Sequence, residues 1–216
     1  MVKHPAFVAF TGIDDTRLIG DLQSLSARYP IEWGMLVDDA QAEKPLFPDV
    51  DARKAFATAG SLRLAAHVCG TEATKIANAP ETVCVDLTGF QRIQVNHNFS
   101  GSSAEQVENT VLFGRRHGVR TMLQCKGAFP GDNRLDWLFD TSFGTGVSPA
   151  SWPTLPKNGP FCGFSGGINP LNVESIIAAI GASADDLYWI DMESGIRTNG
   201  WLDLNKCEAV CRSIYG

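Results

Sequence analysis

Three short stretches in the C-terminal third each place a polar or glycine-rich turn directly after an apolar run. Leu138-Phe139-Asp140 leads into Gly144-Thr145-Gly146, and Phe164-Ser165 leads into Gly166-Gly167-Ile168-Asn169-Pro170. Ile190-Asp191-Met192-Glu193 leads into Ser194-Gly195-Ile196. Glycines in such turns let backbone N–H groups approach an anion, and the start of a following helix favours negative charge. The chemistry indicated is capture of a phosphorylated small molecule, with the reaction itself left open. Alternation puts His67 and Cys69, in Ala66-His67-Val68-Cys69-Gly70, on one face of a strand. If that face points inward, a His/Cys pair reaches the site; if outward, both pack under helices. Asp14-Asp15 and Asp38-Asp39 follow apolar runs and suit either bases at strand ends or caps of the next helices. Asp191 and Glu193 share one strand face, and Asp191 is expected to fix the turn that presents Ser194.

The elements that must position these residues alternate along the chain. Apolar, β-rich runs occur at Phe7–Thr11, Glu32–Val37, Arg63–Cys69, Arg92–Asn96, Arg120–Cys125, Trp137–Asp140, Phe161–Ser165 and Tyr188–Met192. Helical patterns lie between them at Thr16–Arg28, Asp51–Ala59, Glu72–Asn78, Ser103–Gly118, Asn172–Ile180 and Asn205–Ile214. Such alternation implies a parallel sheet wrapped by helices, and eight strands close a (β/α)8 TIM barrel. Ser102 or Ser103 caps the fourth helix and Asp203 the last. Gly127–Arg134 and Ser148–Pro156 hold too many Gly and Pro for long helices. Pro80–Gly89 reads as crossover. Residues 1–216 are expected to form one barrel domain, with its site in the loops after the strands.

Composition narrows the function classes. The formal charge is −6 and the basic residues are scattered, so no nucleic-acid footprint is expected. No apolar run approaches the ~20 residues of a membrane span, and Phe7–Phe10 is too short for a signal-peptide core. The six cysteines contain no C-x-x-C pair and read as reduced core thiols of a cytoplasmic protein. No cofactor is expected. No ligand spacing supports a metal site from His67, His97, Asp140 and Asp191.

The same motifs, Leu-Phe-Asp140-Thr with Gly144-Thr145-Gly146, Ser165-Gly166-Gly167-Ile168-Asn169-Pro170 and Asp191-Met-Glu-Ser194-Gly195-Ile196, resemble phosphoribosylanthranilate isomerase. That family is a single (β/α)8 barrel that performs an Amadori rearrangement on phosphoribosylanthranilate. The resemblance implies a phosphate site at Gly166, Gly167, Ser194 and Gly195, closed over by Gly144 and Gly146. It implies that Asp140 is the general acid protonating the ring oxygen. Ile93-Gln94-Val95-Asn96 is similar to the family's fourth strand, which makes Gln94 and Asn96 substrate contacts. The pattern then departs. Thr11 stands where the family has its general-base cysteine, and a hydroxyl is too weak a base for that task. Lys44 lies near the place of the missing carboxylate-binding arginine, and Gln124 at the strand-five lysine position. His67 and Cys69, if inward, would supply a relocated base. The expected activity is isomerisation of a phosphorylated sugar derivative by a monomer or homodimer. Epimerisation, carbon–carbon cleavage and ligand binding without catalysis on the same scaffold are the alternatives.

Overall fold

Side chains on a strand alternate between two faces, so eight strands closed in a ring divide their residues between a lumen and a helix-covered outside. The computed structural model describes residues 3–42, 44–83, 85–98, 101–142 and 145–216. Strands β1 (Phe7–Thr11), β2 (Ile31–Val37), β3 (Leu64–Val68), β4 (Arg92–Val95), β5 (Arg120–Cys125), β6 (Asp136–Phe139), β7 (Cys162–Ser165) and β8 (Tyr188–Met192) pair in chain order. All pairings are parallel, and β8 closes on β1 with Phe7 opposite Trp189 and Ala9 opposite Asp191. The boundaries fall within one residue of those expected from the sequence.

Helices α1 (Ile19–Ser26), α2 (Val50–Thr58), α3 (Gly70–Asn78), α4 (Ala104–His117), α5 (Val173–Ile180) and α6 (Leu204–Tyr215) cover the barrel. Ser103 caps α4 in a reciprocal box with Gln106, and Gly118 ends it at φ +65°. Asp203 accepts hydrogen bonds from the first N–H groups of α6. No helix appears among the described residues after β5 or β6, where Gly and Pro crowd the sequence. Pro80–Thr82 forms one 3-10 turn within the crossover before β4. None of the helices of the described residues is long and apolar enough to cross a membrane.

Between β8 and α6 lies a short element that the apolar and helical patterns did not announce. Ser194–Ile196 makes a 3-10 turn, then β9 (Arg197–Thr198) and β10 (Trp201–Leu202) form a small hairpin before α6 begins. The cause is local: Asn199 and Gly200 both adopt positive φ, +53° and +84°, the turn geometry that reverses a two-residue hairpin.

The lumen is stratified. At the N-terminal end of the strands, Arg92 lies between Glu32 (2.8 Å) and Asp136 (3.2 Å), all three buried, and its guanidinium stacks 4.2 Å from the Trp189 ring. Arg63 and Arg120 complete the chain of charges at 3.0 and 2.8 Å from the same carboxylates. Above this lie Phe7, Ala9, Ala65, Met122, Leu138 and Trp189, which plug the lumen. Gly163 of β7 leaves room for the Trp189 indole, which occupies the space a β-carbon would need. The next layer toward the C-terminal ends is polar: Thr11, His67, Gln94, Gln124, Asp140, Ser165 and Asp191. The plug therefore forms the floor of an open site.

Candidate active site

The polar layer opens into a cavity of about 350 Å³ at the C-terminal ends of the strands. His67 and Cys69 both line it, so β3 presents the inward of its two candidate faces. His67 is buried and its Nε2 lies 3.5 Å from Thr11 Oγ1. Gly34 makes this approach feasible, since a side chain there would collide with the Thr11 hydroxyl and stand 3.0 Å from His67 Nε2. Thr11 in turn donates to Asp191 Oδ1 at 2.6 Å. With its one proton given to Asp191, the Thr11 oxygen is left to accept from a His67 Nε2–H. Burial, with a smaller contribution from the Arg92 charge, lowers the His67 pKa to about 3. His67 is thus neutral near pH 7 and far too weak a base to deprotonate carbon.

Cys69 is no better suited. Burial raises its pKa, the Asp38 and Glu193 charges add to the rise, and a 3.4 Å hydrogen bond from Asn96 opposes it. Both inward-facing side chains are therefore held in forms, neutral imidazole and thiol, that do not favour them as the relocated base.

Asp191 is the residue the sequence undervalued. Burial pushes its pKa up to about 7, against the Thr11 hydrogen bond, and the charges of Asp140 and Glu193 push the same way. A carboxyl poised near neutrality, beside the position where the resemblance puts a base, can exchange a proton at little cost. The sequence signal was the β8 alternation that places Asp191 and Glu193 on one face; its consequence depended on β8 closing against β1.

Asp140 faces the same cavity. Ser142 donates to its Oδ1 through the backbone N–H (2.8 Å) and hydroxyl (2.9 Å), and Gln124 donates to Oδ2 at 3.1 Å. Gln94 and Asn96 line the β4 side, joined by a 2.6 Å hydrogen bond. Among the described residues, Gln94 Oε1 is buried and accepts no hydrogen bond. Ser142 and the apolar wall of Leu36, Leu46 and Phe47 were not foreseen, since they come from loops and strand ends with no motif of their own; Ser165 belongs to the Ser165-Gly166-Gly167 motif but carried no expected role.

The glycine turns converge. Gly146 packs 2.5 Å, measured from its would-be β-carbon, against Ser194 Oγ, and Gly167 packs likewise against Ser148 N (2.8 Å) and Gly146 O (2.9 Å). Gly166 and Gly167 take φ +122° and +65°. Gly146, Gly166, Gly167 and Ser194 line the cavity. Gly195 does not; the Ile168 carbonyl sits where its side chain would be, so it serves the close packing of two loops. Gly144 lies outside the described residues. Lys44 is exposed, bonds Gln41 at 2.8 Å and is not part of the cavity wall, because the loop turns its Leu46 and Phe47 inward instead.

The paired acids have separate duties. Asp15 and Asp38 accept from backbone N–H groups of the turns they precede, and Asp39 pairs with Arg53 at 2.5 Å. Asp14 is buried in an ion pair with Arg197, which also donates to Gly12 O at 2.8 Å and so clasps the β8 hairpin to the end of β1. His97, half-buried on the rim, is held by Ser102 and Asn98. Trp152 packs edge-on against Phe139 and Phe164 on the outer side of the barrel. Among the described residues no group of three His, Cys, Asp or Glu side chains could hold a metal ion. The described cysteines are free thiols, and all but Cys69 are buried.

The sequence profile of the family described as PRAI, N-(5'phosphoribosyl)anthranilate (PRA) isomerase, matches residues 125–213. Among solved structures, N-(5'-phosphoribosyl)anthranilate isomerase from Pyrococcus furiosus superposes with a TM-score of 0.59 at 17% identity, covering 95% of this chain and 96% of that one. Monomeric variants of the dimeric enzyme from Thermotoga maritima give 0.64 at 14% identity, over 96% and 97% of the two chains. The tryptophan synthase alpha subunit from Campylobacter jejuni follows at 0.54 and 14%, over 98% and 95%. At these identities the superpositions speak for the barrel, and the profile match is confined to residues 125–213. Residues 125–213 are thus similar to the PRA isomerases, within a chain that forms a closed (β/α)8 barrel.

Proposed function

We propose that this protein is an isomerase of a phosphorylated sugar derivative, with Asp191 in place of the family's general base and Asp140 as general acid. The observation that carries the reading is the buried Asp191 carboxyl, raised to about 7 and held by Thr11 at 2.6 Å inside the cavity. Asp191 accepts the proton from the sugar C2 carbon as Asp140 protonates the ring oxygen, opening the ring to an enol-type intermediate whose tautomerisation gives the ketose. Thr11 orients the Asp191 carboxylate, and neutral His67 holds Thr11. The convergent turns at Gly146, Gly166, Gly167 and Ser194 favour a phosphate bound through backbone N–H groups. Burial of an acid at this cost to stability favours a catalyst over a passive binding barrel.

One observation favours the reverse assignment, in which Asp191 donates and Asp140 abstracts: Ser142 and Gln124 aim donors at Asp140, which suits a proton acceptor. Hydrogen exchange distinguishes the two. Aldose phosphates and their N-substituted derivatives are incubated with enzyme in D2O, and deuterium at C2 is followed by NMR. With Asp191 as base, Asp191→Asn abolishes exchange in all substrates, while Asp140→Asn cuts exchange and ketose formation by about 10²–10⁴-fold with ring-forming substrates but spares exchange in aldose phosphates too short to close a ring. Exchange surviving in Asp191→Asn and lost in Asp140→Asn reverses the roles. No exchange or ketose with any phosphosugar would sink the isomerase reading. PRA itself is expected to turn over poorly, because the family's cysteine and its carboxylate-binding arginine are both absent.

A further inference from the structure

The phosphate turns lie on the β6–β8 side of the cavity, so the rest of a ligand extends toward β2, β3 and β4. The wall there is built from Leu36, Leu46 and Phe47 with the uncharged polar groups of Gln94 and Asn96. Every fixed charge facing the cavity is negative. Asp140, Asp191 and Glu193 line it, and no lysine or arginine does among the described residues. The residues outside the described set include neither type. Asp38 adds a carboxylate close to Gly70 at the β3 edge, where its Oδ2 would lie 2.7 Å from a side-chain carbon on that glycine. The nearby Arg197 is spent on Asp14, Gly12 O and Gly200 O. Gln94 Oε1, buried and accepting nothing, asks for a donor from whatever lies beside it.

We infer that the ligand carries, at the end away from its phosphate, an uncharged amine substituent with an apolar body, and no carboxylate. The inference rests on the phosphate end being bound by the glycine turns as proposed above. An apolar body would cover Leu36, Leu46 and Phe47, and its N–H would reach Gln94 Oε1. A carboxylate in the same place would stand near Asp38 with no lysine or arginine of the wall to pair with it, whereas the phosphate is served by backbone N–H groups. The substrate class is therefore an N-substituted phosphosugar distinct from PRA, whose anthranilate ring bears a carboxylate.

Isothermal titration with three stable probes tests this: 1-anilino-1-deoxyribitol 5-phosphate, its phosphate-free counterpart and its 2-carboxyanilino counterpart. The anilino compound should bind at least about tenfold more tightly than the carboxylated one, the size expected when a charge is buried without a partner. Glu193→Gln removes one of the opposing charges and should narrow that ratio by roughly threefold or more. A ratio near one, preference for the carboxylated compound, or no binding of the anilino compound overturns the inference. Tight binding of the anilino compound with no gain over its phosphate-free counterpart would instead sink the phosphate turns on which the inference rests, an outcome separate from the ratio between the two anilines.

Discussion

At the scale of single residues, Asp191 concentrates the tension between stability and chemistry. Its pKa in the folded chain is about 7 against an ordinary value of 3.8, so ionisation opposes folding. The penalty is absent below pH 4, grows between pH 4 and 7, and is complete above it. Asp191→Asn should accordingly be as stable as the parent protein at pH 4 and more stable at pH 8, by up to about 4 kcal/mol in urea titrations. A variant that is less stable at pH 8 would show that the carboxylate is accommodated in a way its burial does not suggest. Activity should run the opposite way. If Asp191 is the base, kcat/KM rises with pH through about 7 as its proton leaves, and a profile flat from pH 5 to 9 removes it from the role. His67, with its pKa near 3, should stay neutral across that range, which NMR titration of its ring would reveal.

At the scale of elements, the glycine turns proposed to hold phosphate depend on backbone shapes that side chains resist. Gly167 takes φ +65°, and a β-carbon there would stand 2.8 Å from Ser148 N and 2.9 Å from Gly146 O. Gly167→Leu strains the β7 turn and displaces the β6 loop packed on it. Ribitol 5-phosphate affinity should fall by roughly tenfold or more, with far-ultraviolet circular dichroism unchanged because β7 itself is not touched. Normal affinity in a folded Gly167→Leu protein would place the anion elsewhere. The hairpin between β8 and α6 acts beside them: through Arg197 it holds Gly12, the residue next to Thr11, against the β8 turn.

For the whole molecule, the closed ring buries an alternating chain of charges beneath the site. Glu32 and Asp136 each bridge a buried Arg92 to a half-exposed arginine. Removing one member leaves a charge uncompensated in the lumen, which costs about 3–5 kcal/mol in comparable buried pairs. Glu32→Gln should lose stability of that order in urea unfolding. A loss below about 1 kcal/mol would mean that water reaches Arg92 and that the lumen floor is less closed than the packing of Phe7, Met122 and Trp189 implies.

The sequence by itself determined the order and the limits of the elements. Alternating apolar runs, a Ser103 cap, an Asp203 cap and the breaks at Gly127–Arg134 and Ser148–Pro156 are local signals, and each was legible because backbone geometry responds to neighbours a few residues away. It also marked Asp140 and the glycine turns, whose motifs are contiguous. Only the tertiary structure decided what depends on ring closure. Thr11 and Asp191 stand 180 positions apart, and their 2.6 Å contact exists because β8 pairs with β1. The facing of His67 required the register between β2 and β3, since a one-residue slip would have turned it outward. The acid raised to about 7 could not be read from its neighbours along the chain, because burial, the first cause of that shift, belongs to the closed lumen and to no single segment.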